Sequence, residues 1–129
     1  MSLDVAPELL DQATRGEIDD AAFVATVRRS LPYAYALIDR VSAEAHAGDA
    51  PFADNQVPPP SEAERGQLLR ALASDAIRGS LERHFGVRLA FQNCHRVAAF
   101  RPDADPAVHA EFTSTRSQVL NQSPELRNC

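Results

Sequence analysis

The sequence predicts an α+β domain that is mostly helical, with four to five helices around one long strand or hairpin at about 87–100. Over most of the chain, apolar residues recur at three- and four-residue spacing, which is typical of half-buried helices. After Gly86 the spacing changes to two, which is typical of a strand. At 129 residues the chain is long enough for a single domain, residues 1–129, with a modest core.

The N-terminal third predicts two or three helices. Pro7 suits the first position of a short helix that ends at Gly16. A second helix opens after Ile18, where acidic residues favour the positive N-terminal end of the helix. Pro32 must break or kink this second pattern near residues 30–31, and Ser30 could equally cap a third helix.

Residues 47–60 predict a proline-rich loop, because the apolar periodicity is lost there. Asp54, Asn55 and Gln56 supply hydrogen-bonding side chains within it. They either satisfy backbone groups around Pro58–Pro60 or line a pocket beside the next helix. The first alternative is favoured, since Asn and Asp are ordinary turn residues.

The segment from Ser61 to a C-terminal stop at Gly86 predicts one long helix. Ser61 and Glu64 form the S-x-x-E pattern of a capping box. Gly79 inside the helix costs about 1 kcal/mol relative to alanine, so we expect close packing against another element there. The expected buried stripe comprises Leu69, Leu72, Ala73, Ala76, Ile77 and Leu81.

Residues 87–100 predict either one long strand or two short strands joined through residues 92–94. Val87, Leu89, Phe91, Val97 and Ala99 alternate with Arg88, Ala90, Gln92, Arg96 and Ala98. No other segment predicts a strand, and a lone strand leaves a row of backbone groups unpaired. We therefore expect a homodimer in which this strand pairs with its copy.

The C-terminal segment predicts one more helix and a tail. Asp105 suits the N-cap and Pro106 the first helical position. The expected buried stripe comprises Val108, Phe112, Val119 and Leu120. Residues 122–129 form the tail, with a possible last helical turn after Ser123.

Charge and composition argue against nucleic-acid binding and favour a cytoplasmic protein. The net charge of −5 and pI near 5.3 disfavour a nucleic-acid-binding surface, which would have to use Arg65, Arg70, Arg78 and Arg83. No secretory signal and no membrane-spanning run is present, so we expect a cytoplasmic protein that binds no membrane. Cys94 and Cys129 are then expected to be reduced, although a disulfide between them remains open.

Cys94 and His95 are the candidate catalytic residues. A histidine can activate a thiol as a nucleophile, but adjacent strand residues point to opposite faces, so the partner would be His84, His109 or a second subunit. A buried, inert cysteine is the common alternative. The paired ligand spacing of structural zinc is absent, and we expect neither a metal nor a cofactor.

A polar patch on the strand and the preceding loop supplies the candidate binding residues. These are Asp54, Asn55, Gln56, Arg88, Gln92, Asn93 and Arg96. The leading hypothesis is a non-enzymatic cytoplasmic accessory or regulatory protein that binds another protein or a small ligand, since strand edges recruit partners. The alternative is a small enzyme or thiol-dependent protein that uses Cys94 and His95 near the dimer interface.

Five segments carry a resemblance that extends nearly from end to end. They are SLPYAYALI, FADNQVPPP, RGQLLRALASDAIRG, HFGVRLAFQNCHRVA and RSQVLNQSPELRNC. Together they resemble a family of small actinobacterial proteins, typical of streptomycetes, with no assigned activity. The resemblance implies a bacterial cytoplasmic origin and carries no site residues over to this chain.

Overall fold

The computed structural model describes residues 2–121. In order, the elements are α1 (Pro7–Arg15), α2 (Asp20–Ser30), α3 (Pro32–Ala47), β1 (Phe52–Asp54), α4 (Glu62–Leu72), α5 (Asp75–Phe85), β2 (Arg88–Gln92), β3 (Arg96–Phe100), α6 (Pro106–Phe112) and α7 (Thr115–Leu120). The predicted α+β class, mostly helical, is confirmed. None of the helices in this range is both long and apolar enough to cross a bilayer.

Two expected helices are each split in two by a serine. The prediction of one helix from Ser61 to the stop at Gly86 is wrong, because Ser74 caps a new helix by accepting a hydrogen bond from the Ile77 N–H at 3.3 Å. Ser114 caps α7 in the same way, accepting from the Ser117 N–H at 3.0 Å. These two breaks turn the five expected helices into seven. The last helical turn expected after residue 122 lies outside the described residues.

The breaks also change which residues are buried. Leu69 is 50% exposed, whereas its neighbour Leu68 is fully buried. Because α4 and α5 pack as separate helices, each has its own inward face, and the single stripe expected along residues 69–81 does not form. The residues wrongly expected in the core are Leu69, Ala73, Ala76, Val119 and Leu120, all of which are exposed.

The three strands form one antiparallel sheet in the order β1-β3-β2. Of the two alternatives for residues 87–100, the hairpin is confirmed, with pairs from Arg88↔Phe100 to Gln92↔Arg96. The expectation of no further strand is wrong, because β1 pairs with β3 inside the expected proline-rich loop. A strand of three residues is too short to show an alternating pattern.

The third strand changes where a homodimer could pair. β3 has a hydrogen-bonded neighbour on both sides, whereas β2, which belongs to the same segment 87–100, keeps a free edge. The other free edge belongs to β1. Pairing across a homodimer therefore stays a prediction, and sedimentation of the 14.1 kDa chain tests it.

The sheet is the middle layer between two sets of helices. Leu89, Val97 and Ala99 on one face belong to the main core with α2, α3, α4 and α5. On the other face, Phe100 packs with Phe112 of α6, the ring centroids lying 5.6 Å apart. Helices thus cover both faces of the sheet. Small side chains suit such a doubly covered sheet, and Ala90, Ala98 and Ala99 are buried in it.

Helix α3 is held at both ends by side chains from distant segments. At its start, Gln67 Oε1 accepts hydrogen bonds from the backbone N–H groups of Tyr33 (2.8 Å) and Ala34 (3.2 Å). Just beyond its end, Arg101 Nη1 donates to the carbonyl oxygen of Gly48 at 2.7 Å. These contacts satisfy backbone groups that every helix leaves unpaired at its termini.

Candidate functional site

Several predicted binding residues meet at the tip of the β2–β3 hairpin. A cavity of about 340 Å³ lies there, lined by Asp54, Asn55, Gln56, Pro58, His95, Arg96 and Asn121. Arg88 lies at the opposite end of β2. The structure therefore brings together part of the predicted set and separates Arg88 from it.

Asn55 uses its amide to hold the hairpin tip in place. Its Oδ1 accepts from the Val97 N–H at 2.8 Å, and its Nδ2 donates to the carbonyl oxygen of His95 at 2.7 Å. The residue is only 6% exposed. Its side chain thus makes the hydrogen bonds that the backbone of a neighbouring strand would make. Of the two predicted roles for Asn55, this is the structural one, in which the side chain satisfies backbone groups.

Asp54 and Arg96 neutralise each other beside this tip. Both Nε and Nη2 of Arg96 lie 2.6 Å from Asp54 Oδ2, and the Asp54 side chain is 8% exposed. The Gln56 amide donates to the other carboxylate oxygen. The Arg96 guanidinium also lies 4.8 Å from the ring centroid of Phe112. The charges at the tip are therefore already used within the fold.

Gln92 and Asn93 connect the hairpin to the C-terminal helices. Gln92 Nε2 donates to the Phe112 carbonyl oxygen and to Ser117 Oγ, both at 2.9 Å. Asn93 Nδ2 donates to the Asn121 carbonyl oxygen at 2.6 Å. Both residues are buried, so they act as structural links within residues 2–121.

Cys94 and His95 lie in the hairpin turn rather than in a strand. Asn93 and Cys94 both adopt left-handed backbone conformations, with φ of 54° and 53°. Cys94 is disulfide-bonded, so the expectation of a reduced thiol there is wrong in this structure, and Cys129 lies outside the described residues. His95 Nδ1 is hydrogen-bonded to the Asn93 carbonyl oxygen. Across the described range, no three His, Cys, Asp or Glu side chains group as metal ligands.

A second cavity, of about 520 Å³, lies along the free edge of β2, and we call it the edge groove. One wall is the α4–α5 junction and the start of α5, the floor is β2, and the other wall is α6. The lining residues are Leu72, Ala73, Arg78, Glu82, Arg88, Leu89, Ala90, Phe91, His109 and Thr113. Arg88 is one of the predicted binding residues, whereas its proximity to Glu82 and α6 has no signal in the sequence.

The hydrogen bonding of β2 sets which backbone groups face the groove. The Leu89 N–H donates to Glu82 Oε2 at 2.8 Å, and therefore points away from β3. Because alternate residues of a strand direct their backbone groups to the same edge, the N–H and C=O of Phe91 also face outward. Phe91 thus presents a donor and an acceptor to the edge groove.

The groove contains an arginine whose charge no neighbour neutralises. Arg78 is paired with Asp75 at 2.6 Å, whereas the side chain of Arg88 has neither an ion pair nor a hydrogen bond to any of residues 2–121. His109 packs edge-on against Phe100. Burial, and secondly the nearby positive charge of Arg88, lower the pKa of His109. The edge groove therefore combines an uncompensated guanidinium with a histidine that favours its neutral form.

Comparison with known proteins yields one family. No curated protein and no solved structure matches the chain significantly. The family model described as NucS shadow ORF matches residues 1–129, the full sequence. The expected membership in one family that spans the chain is thereby confirmed. On this match, the chain belongs to the NucS shadow ORF family.

Proposed function

We propose that the protein is a non-enzymatic accessory or regulatory domain that binds another protein or a small ligand in the edge groove. The observation that carries the proposal is Arg88, an uncompensated guanidinium that lines the same cavity as the outward-facing backbone groups of Phe91. The cavity of about 520 Å³ falls in the size range of ligand sites, about 300–1,000 Å³. The Arg88 side chain and the free edge of β2 line the same cavity, an arrangement that favours binding of a polar ligand.

The hairpin tip supports the proposal less well than the edge groove does. Its charged pair, Asp54 and Arg96, is already satisfied, and the Asn55 amide is used for backbone contacts. A ligand at the tip would have to break these bonds before it gained its own. Binding at the edge groove costs no such internal contact at Arg88.

Mapping of ligand binding tests the proposal. A library of small fragments, screened by amide chemical-shift changes on labelled protein, should perturb residues 88–91 and His109 together. Arg88→Ala should abolish the changes caused by anionic fragments. Arg70→Ala is the matched control, because it removes the same charge from α4 outside the groove lining. Perturbations concentrated at Asp54 and His95 would instead move the site to the hairpin tip.

The alternative, a thiol-dependent enzyme, has weaker support from the geometry. Cys94 is disulfide-bonded, and His95 bonds to the Asn93 carbonyl rather than to a sulfur. A reduced protein whose Cys94 reacts with iodoacetamide far faster than an unfolded peptide would favour this alternative. A Cys94→Ala variant that retains all ligand binding would remove it.

Single-stranded nucleic acid is a second candidate ligand for the same groove. Arg78 and Arg88 line the groove and could contact phosphates, and KH modules clamp nucleotides by a G-x-x-G loop. The chain at the α4–α5 junction reads Leu72-Ala73-Ser74-Asp75, without glycine, and the net charge is −5. Oligothymidylate binding that weakens steeply with salt and is lost in Arg88→Ala would support this candidate.

A bacterial cytoplasmic origin is part of the proposal. All thirteen basic side chains are arginine, a bias that fits a high-GC genome such as those of actinobacteria. The disulfide at Cys94 argues in the other direction, because disulfides are rare in a reducing cytoplasm. Thiol labelling of the protein in freshly lysed cells, before any oxidation, shows whether Cys94 is reduced, as expected in the cytoplasm, or disulfide-bonded, as expected in an oxidising compartment.

A further inference from the structure

We propose that the occupant of the edge groove is an extended peptide that adds antiparallel to β2 and carries a carboxylate for Arg88. This inference rests on the proposed function and specifies its ligand. Two features select a peptide. Phe91 offers an outward donor and acceptor at one residue, and an antiparallel neighbour satisfies both by exchanging two hydrogen bonds. Arg88 selects the acidic side chain.

Glu82 fixes how far the added strand can extend. Its carboxylate already accepts from the Leu89 N–H at 2.8 Å, so a peptide carbonyl finds no free donor there. The paired position is therefore Phe91. The peptide residue opposite Phe91 exchanges both backbone bonds, and the chain then runs past Ala90 toward Leu89.

The same geometry places the acidic residue within the peptide. The position that follows the one opposite Phe91 lies across from Ala90 and on the face of the sheet that carries Arg88. A diagonal neighbour on that face is about 7–8 Å away, within reach of long side chains. An acidic residue one position later would instead face the Glu82 carboxylate and be repelled. The groove therefore distinguishes two peptides of identical composition.

The charges around His109 favour an acidic peptide. His109 lines the groove together with Arg88, and the charged groups that face His109 are Arg88, Glu82 and Arg78. The Arg78 charge is offset by Asp75, and Glu82 is engaged by the Leu89 N–H. A bound carboxylate would thus meet one free guanidinium, and it would favour protonation of His109.

Three synthetic peptides test the inference on the 129-residue chain. The first is acetyl-Thr-Val-Glu-Val-Thr-amide, whose first Val is intended to lie opposite Phe91. The second exchanges the Glu with the Val that follows it. The third keeps the first sequence but carries an N-methyl group on the first Val, which removes the hydrogen that would bond to the Phe91 carbonyl. Amide hydrogen exchange and shift titration measure binding, so no protein variant has to fold for these comparisons.

The first peptide should slow exchange of the Phe91 amide. Each of the other two peptides should bind at least about tenfold more weakly than the first, because each loses one strong hydrogen bond. Arg88→Ala should weaken the first peptide by a similar factor, and Arg70→Ala should not. Equal binding of all three peptides, or binding without protection of Phe91, overturns the inference. Absence of peptide binding up to millimolar concentration also overturns it.

These outcomes separate the inference from the proposed function. If anionic fragments or oligothymidylate bind at residues 88–91 while the first peptide does not, the edge groove is the site and the peptide is the wrong ligand class. If no probe perturbs the groove, both proposals fail. If the first peptide alone binds there and protects Phe91, both are supported.

Discussion

Glu82 Oε2 accepts a hydrogen bond from the backbone N–H of Leu89 at 2.8 Å, so a side chain of α5 covers one donor on the free edge of β2. Unpaired strand edges attract other strands and promote aggregation. The contact therefore stabilises the α5–β2 connection and also limits pairing of β2 with other chains. β3 needs no such protection because it has a neighbour on both sides, whereas β2 is an edge strand and Glu82 covers part of its free edge.

Glu82→Ala should destabilise the fold and favour self-association. Loss of the acceptor leaves the Leu89 N–H unsatisfied, which costs about 1–3 kcal/mol in the free energy of unfolding. Urea denaturation measures the loss, and sedimentation velocity measures association. Glu82→Gln retains an acceptor oxygen and serves as the control. An alanine variant with wild-type stability and no larger species would contradict this role of Glu82.

Gly79→Ala should stabilise the protein by about 0.5–1 kcal/mol, because alanine favours helix over glycine. A Cβ at this position would meet only the Arg83 Nη1 atom, at 3.4 Å, so the close packing expected from the sequence is wrong. Gly86→Ala is the matched comparison, since Gly86 has a φ of +66°. It should cost roughly 1–2 kcal/mol. Thermal unfolding of the two variants should therefore shift in opposite directions.

The sequence predicted those features that depend on neighbouring residues. The helix starts at Ser61 and Asp105 and the alternation after Gly86 are local signals, and each is confirmed. The caps at Ser74 and Ser114 are also local, but continuous apolar spacing on both sides hid them. The serines themselves were the signal that could have found them, because serine favours helix N-caps over helix interiors.

The site depended on contacts between distant segments, which one sequence does not reveal. Arg88 was selected because it is a charged strand residue, but its setting depends on β1 taking the other side of β3 and on α6 covering the opposite sheet face. Asp54 and Arg96 looked like binding residues for the same chemical reasons that make them a good internal pair. Polarity alone did not separate ligand contacts from structural ones.

Gln67→Ala should destabilise the protein by about 0.5–2 kcal/mol, the usual cost of losing a helix cap. The Gln67 oxygen is the acceptor for two N–H groups at the start of α3, whose N-cap Leu31 makes no side-chain cap. Gln67→Glu keeps the oxygen and adds a negative charge near a helix N-terminus, so it should retain stability. Urea unfolding distinguishes the variants. Equal stability of Gln67→Ala and wild type would mean that water replaces the cap without loss.

Stability should decrease as pH falls through the titration range of His109. Burial and Arg88 lower the pKa of His109 in the folded state, so the unfolded chain binds more protons between that pKa and the ordinary value near 6.5. The contribution is fully present above the unfolded pKa and is lost as pH falls toward the folded one. Arg88→Ala should raise the pKa of His109, measured by NMR titration of the ring. His109→Gln should remove this part of the pH dependence, and an unchanged pKa in Arg88→Ala would contradict the electrostatic cause.

The family description, NucS shadow ORF, names a reading frame and no activity, so whether the chain behaves as a folded protein is itself a testable matter. Its local signals agree with its packing. Each helix within residues 2–121 starts at a side-chain cap or with proline in its first turn: Pro7, Asp19, Pro32, Ser61, Ser74, Asp105 and Ser114. Such agreement between local and tertiary preferences is typical of sequences that specify one structure.

The purified chain should therefore unfold in a single cooperative transition. Helical circular dichroism and tyrosine fluorescence should change together in urea, because Tyr35 is 9% exposed and lies in the main core. Gly79→Ala should shift both probes to higher urea by the same amount, as expected when one transition contains α5 and the core. Gradual, non-coincident changes with strong binding of a hydrophobic dye would indicate a molten globule. In that case the edge groove would lack the fixed geometry that selective binding requires.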